Sequence, residues 1–174
     1  SLIWSKTFNS GNNDYGYSVV EAHDGGYIVV GRKGSDAWII KLDTDGNEVW
    51  SKTLSGTGTS SNPQIAYYIS KTNDGGYIIA GQNDALYNNG RNNGWLIKIN
   101  STGETIWEEN FGSSQLFTSV IQDSNGGYIV AGFSLGTSDY LWLVKVNSDG
   151  SQIWEKKYRC NSYNTGYPHP RHIQ

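Results

Sequence analysis

All seven tryptophans of this chain fall on two positions of an internal repeat. Trp38, Trp95 and Trp142 each open one strand, and Trp50, Trp107 and Trp154 follow twelve residues later. Trp4 begins a leftover copy of the second position. Self-similarity of this kind constrains the fold more tightly than any local propensity, because each copy must be one structural unit that buries its faces against its neighbours. The tryptophans are therefore expected in the packing between units, not in a site.

The copies align as strand, turn, strand. The first strand is read from Tyr17, Tyr67 and Thr118, and each runs into Asp24-Gly25-Gly26, Asp74-Gly75-Gly76 or Asn125-Gly126-Gly127. Asp-Gly between apolar runs is a hairpin signal, and the expectation is a primed turn with positive φ. The second strands, Tyr27 to Gly31, Tyr77 to Gly81 and Tyr128 to Gly132, are apolar on both faces, as in a strand sandwiched between layers. The third strands start at the first tryptophans. They pass through Asp45-Gly46, Thr102-Gly103 or Asp149-Gly150 into fourth strands around the second tryptophans. With 22 Gly, 12 Tyr and only 3 Pro, composition supports strands and tight turns, and no helical periodicity competes.

Four antiparallel strands repeated in tandem predict an all-β β-propeller of four-stranded blades. The expected organisation is an outer strand of an incomplete blade (1–8), blade 1 (9–54), blade 2 (55–111), blade 3 (112–158) and a divergent C-terminal tail (159–174). The segment from Trp38 through Asp45-Gly46 to Trp50 resembles the blade repeat of quinoprotein (PQQ-type) propellers. The run Asp24-Gly25-Gly26-Tyr27-Ile28-Val29-Val30-Gly31 resembles repeat-rich propellers of secreted bacterial and archaeal surface proteins. The likeness covers residues 1 to 158. It implies the propeller scaffold and an extracellular or cell-surface setting. The quinoprotein enzymes bind pyrroloquinoline quinone and calcium through a tryptophan floor, an acidic base and vicinal cysteines. Here the single cysteine, Cys160, has no neighbour of its kind and the repeat uses every tryptophan. No cofactor, no metal site and no catalytic constellation are expected.

Three blades fall short of a closed ring, which takes four to eight. The missing blades belong either to a longer parent chain or to a second copy, so self-association is expected. Residues 164–167 look like the start of a fourth blade that Pro168 and Pro170 then interrupt. The lack of any Met and the start directly in a strand read as a processed product or a segment of something longer. A net charge of −3 without basic runs argues against a nucleic-acid partner, and no apolar run is long enough for membrane insertion.

Length variation lies at one end of the blades. From Gly31, Gly81 and Gly132 to the next tryptophan the gaps are 7, 14 and 10 residues, while the hairpin turns keep their length. Loops of this kind are free to carry function. The longest joins Asp84 to Asn93 and presents Tyr87, Asn88, Asn89, Arg91 and Asn92, an aromatic ring with amide and guanidinium donors suited to a sugar. The favoured reading is a non-catalytic extracellular binding module for a glycan or protein ligand. The alternatives are a self-assembling surface-layer scaffold and a remnant quinoprotein-like enzyme using Asp14, Asp36, Asp84 or Asp139.

Other signals read as structure. Asp43, Asp45 and Asn47 mark a tight turn, since no bidentate Glu completes a calcium loop. Lys41, Lys98 and Lys145 are expected to run their stems along the sheet and keep their charges wet. His169 and His172 sit in the tail without partner ligands. Asn100-Ser101-Thr102 matches a glycosylation acceptor on a hairpin turn.

Overall fold

The computed structural model describes residues 3–8, 11, 13–54, 63–84, 92–112, 115–134 and 140–159. Among these, twelve strands form three four-stranded antiparallel sheets, each ordered as in the chain. The first holds β1 (Asp14–Glu21), β2 (Tyr27–Lys33), β3 (Asp36–Leu42) and β4 (Glu48–Leu54). The second holds β5 (Ile65–Lys71), β6 (Tyr77–Asp84), β7 (Asn92–Ile99) and β8 (Thr105–Phe111). The third holds β9 (Gln115–Gln122), β10 (Tyr128–Ser134), β11 (Tyr140–Val146) and β12 (Gln152–Arg159). This is the expected propeller arc. Sheet-to-sheet approaches run through the first strands, β1 against β5 and β5 against β9, which places these strands on the inside.

All six hairpins are built alike, though not as two-residue primed turns. The amide of Gly25 donates to the carbonyl of Ala22 and the amide of Ala22 donates to the carbonyl of Gly26, closing a three-residue loop. The same pattern recurs at 43–47, 72–76, 100–104, 123–127 and 147–151. Only the last loop position needs a left-handed backbone, and a glycine with φ of 76 to 91° fills it every time. In the β3–β4 loop Asp43 Oδ1 also accepts the amides of Asp45 and Asn47, so the aspartates close a turn. Asn100 does this in the second sheet, and its Nδ2 donates to Glu104, tying the amide that a glycan would occupy into the turn.

The first strands begin earlier than the sequence pattern indicates because each carries a β-bulge. Gly16 pairs with Gly31 and Ser18 with Val30, leaving Tyr17 as the extra residue. Tyr67 and Thr118 are skipped in the same way. Opposite each bulge the backbones close up: a Cβ on Gly31, Gly81 or Gly132 would overlap the facing carbonyl oxygen of Tyr15, Ile65 or Leu116.

Packing between sheets repeats with the chain. Ile28, Val30, Ala37 and Ile39 of the first sheet bury completely against Ile69, Tyr77, Ile79 and Ile97 of the second. Ile78, Ala80 and Leu96 meet Phe117, Val130, Trp142 and Val144 in the next interface. Trp50 lies over the β7–β8 loop, where a Cβ on Gly103 would strike its ring, and Trp107 lies over Gly150 likewise. Trp4 lies over Gly46 in the same manner, and its ring centroid is 6.0 Å from Tyr27, matching the 5.9 Å of Trp107 and Tyr128.

Two expectations about these elements need correction. Residues 3–8 occupy the place of an outer strand but are not paired as one, because no inner strand among the described residues lies beside them to share hydrogen bonds. Trp154 has no sheet beyond β12 to pack against among the described residues, and it stays half-exposed beside Lys156. Trp38, Trp95 and Trp142 are buried as expected.

Candidate functional site

Strand order places the hairpin turns at one end of the sheets and the length-variable connections at the other. The site expected at that loop end is only partly visible. Tyr87, Asn88, Asn89 and Arg91 lie outside the described residues. Asn92 begins β7 and pairs through its backbone with Asp84. Asp139, Cys160, His169 and His172 also lie outside them. Asp14 and Asp36 are both opposite Lys33 in register, on either side of it, so they do not make a carboxylate pair.

What the loop end does assemble was not singled out from the sequence. The bulge residues Tyr17 and Tyr67 turn toward each other across the gap between β1 and β5, rings edge to face at 5.3 Å. Tyr15 lies nearly parallel to Tyr17, 15° between planes and 6.2 Å between centroids. On Tyr15 rests the guanidinium of Arg32, its Cζ 4.8 Å from the ring centre. Tyr67 donates its hydroxyl hydrogen to Gln82 Oε1, and Gln82 Nε2 donates to the carbonyl of Pro63, which fixes that ring. Tyr15 and Tyr17 remain 47% and 44% exposed, large values for aromatic side chains on inner strands. Burial pushes the Tyr67 phenol up, as does the neighbouring Tyr17 hydroxyl, and Arg32 partly offsets this. The surface thus offers neutral hydroxyls, aromatic faces and one cation.

A signal for it was present in the alignment. Positions 17, 67 and 118 read Tyr, Tyr, Thr, and positions 32, 82 and 133 read Arg, Gln, Phe. Residues that depart from a repeat at one end of it are where a repeat protein departs from pure scaffold. The bulge that re-aims Tyr17 is a feature commonly found beside sites and is invisible to period-2 patterning.

The triplicated lysines proved to be structural in a different way from that expected. Lys41 and Lys98 are buried, and their charges are paired, not wet. Lys41 Nζ donates to Asp24 Oδ1 at 2.6 Å and to the carbonyl of Leu42. Lys98 Nζ sits 2.9 Å from Asp74 Oδ2 and donates to the carbonyl of Ile99. Lys145 pairs with Asp123 at 2.9 Å, an aspartate two positions earlier in its hairpin than the other two. Some burial raises the Asp74 carboxyl, but hydrogen bonds from Thr72, Lys98 and the Gly76 amide outweigh it and hold the group at about 2.

A cleft of about 260 Å³ opens between residues 6–8 and the first sheet, walled by Phe8, Val29, Trp38 and Ile40. It is apolar at its base and belongs to the open end of the arc. Among the described residues no group of three His, Cys, Asp or Glu side chains could hold a metal ion. No helix among them is long and apolar enough to cross a membrane.

Three stacked four-stranded sheets with this repeat define a β-propeller scaffold of the PQQ-type repeat class. The family model described as outer membrane protein assembly factor BamB (PQQ_2) matches residues 1–167, and the chain belongs to that family. No curated protein matches the chain. Among solved structures, one of a protein of unknown function from Bacteroides caccae is similar at 13% identity, over 89% of this chain and 70% of the other, with a TM-score of 0.49.

Proposed function

We propose that this chain is a non-catalytic binding module on a propeller scaffold, working outside the cell or at its surface, with a glycan as ligand. The observation that carries this reading is the exposed Tyr15–Tyr17–Tyr67 surface at the loop end of the inner strands. Tyrosine presents an apolar body to the C–H face of a sugar ring and a polar tip to its hydroxyls. Tyr87, Asn88, Asn89, Arg91 and Asn92 belong to the longest connection on the same end and extend this surface in the proposal.

The test is a glycan array probed with the full chain, followed by titration of any hit against Tyr17→Ala. Binding that weakens at least about tenfold in the variant, with the thermal melt unchanged, is the expected outcome. An array blank at high protein concentration removes the glycan from the proposal.

A second reading, a self-associating scaffold, is favoured by a separate observation. The face of the third sheet turned away from the second leaves Phe133 and Leu141 exposed, where the equivalent face of the first sheet is covered. A species that stays strictly monomeric by light scattering across a wide dilution series sinks that reading.

A further inference from the structure

We propose that the sugar bound at the inner rim is a carboxylated one, with Arg32 as the anchor for its carboxylate and Tyr17 and Tyr67 as the surface for its ring. The inference rests on the glycan reading above and adds the charge class of the ligand.

Arg32 is peculiar to the first sheet. The equivalent residue of the second is Gln82, hydrogen-bonded within the protein, and that of the third is Phe133. Arg32 has no such internal use. Its guanidinium lies over Tyr15 and close enough to Tyr67 to act on that phenol, and no salt bridge to it exists among the described residues. Its Nε is buried without a hydrogen-bond partner among the described residues, and the side chain as a whole is half-buried. The contact with Tyr15 accounts for where the guanidinium lies. Among the described residues no hydrogen bond or salt bridge occupies the donor fork at the tip.

A guanidinium held over an aromatic ring, with no acceptor among the described residues, is suited to bidentate recognition of a carboxylate. The nearest charges on its own strands do not neutralise it. Lys33 follows it in β2, and Asp14 faces Lys33, not Arg32, in the β1–β2 register. Two rings lie next to this cation, crossed at 61° with centroids 5.3 Å apart. Such a corner accepts the edge and the face of a pyranose together. A ligand with a hydroxylated ring and one carboxylate, as in a uronic acid, engages both halves of the surface.

Oligogalacturonate and its methyl-esterified counterpart separate these halves, because esterification removes the charge and keeps the rings. Both are titrated by calorimetry into the full chain, into Arg32→Gln and into Tyr17→Ala, with thermal melts recorded alongside. Arg32→Gln installs the residue that the second sheet already carries at this position, so the backbone tolerates it. The acid is expected to bind the unaltered chain about tenfold more tightly than the ester, as a charge-assisted pair implies. Arg32→Gln erases that preference, while Tyr17→Ala weakens binding of acid and ester alike. Equal binding of acid and ester by the unaltered chain overturns the carboxylate inference and leaves the glycan reading standing. A preference that survives Arg32→Gln also overturns it. Binding of neither, nor of any neutral glycan, removes both.

Discussion

The outgoing faces of the first and third sheets are nearly the same surface in two environments. In the first, Ile28, Val30, Ile39 and Lys41 lie under the second sheet and are buried, and Trp50 caps a neighbouring turn. In the third, Ile129, Ala131, Leu143, Lys145 and Trp154 stand at the same repeat positions with nothing described beyond them. Phe133 and Leu141 on that face are 43% and 45% exposed. The chemistry of a position is therefore set by the repeat, but its energy is set by whether another sheet follows. A tryptophan is worth several kcal/mol in one place and little in the other.

The sharpest test of this dependence sets a tryptophan packed between two sheets against one that no described sheet covers. Trp142 is buried, stacks on Phe117 at 4.8 Å and donates its indole N–H to Glu155. Trp142→Ala is expected to lose about 3–5 kcal/mol in denaturant unfolding, and Trp154→Ala under about 1 kcal/mol. Equal losses would mean that Trp154 is covered in solution.

Next in size is the hairpin clasp. Asp74→Ala leaves Lys98 buried and unpaired, and the expected cost is about 2–3 kcal/mol, discounted because the aspartate itself is partly exposed. Lys98→Met, which removes the buried charge, should cost less. The carboxyl is held at about 2 in the fold against the ordinary aspartate value of 3.8. Its contribution is therefore complete above pH 4 and disappears as the pH falls toward 2. Acid titration of stability should show that limb in the native chain and lack it in Asp74→Ala.

A smaller contrast sits in the turns. Gly75 and Gly103 both have positive φ, but only Gly103 has a tryptophan ring against it. Gly103→Ala should destabilise by about 1–2 kcal/mol more than Gly75→Ala, because Trp50 must move. Smallest of all is Leu141→Lys, with no measurable change in melting temperature. Its effect should appear only as loss of any concentration-dependent association.

The strands, their grouping and the core tryptophans were legible because each depends on a pattern that repeats in the chain. The clasp was not, since its partner in the third hairpin is Asp123 while the aligned residue is Asn125. An alignment column shows a lost aspartate there where the fold shows a retained ion pair. The tyrosine surface was hidden for a related reason. Tyr15, Tyr17 and Tyr67 are separated in sequence or out of alternation, and a bulge brings them together. Period-2 reasoning assigns such residues to the wrong face by one step. Of the loop expected to bind, the backbones of Asp84 and Asn92 and the buried Asn93 fall among the described residues.

The displaced aspartate of the third hairpin has a consequence for how such a chain tolerates change. A lysine ammonium at the end of a flexible stem reaches a carboxylate at either of two loop positions, so the hairpin offers two interchangeable seats for one counter-ion. The third hairpin, with no described sheet beyond it, seats the acid at Asp123, whereas Ala22 at the same place in the first hairpin is buried under the second sheet. Copies can then diverge at both positions while each blade stays locked, which leaves the opposite end of the same strands free to specialise.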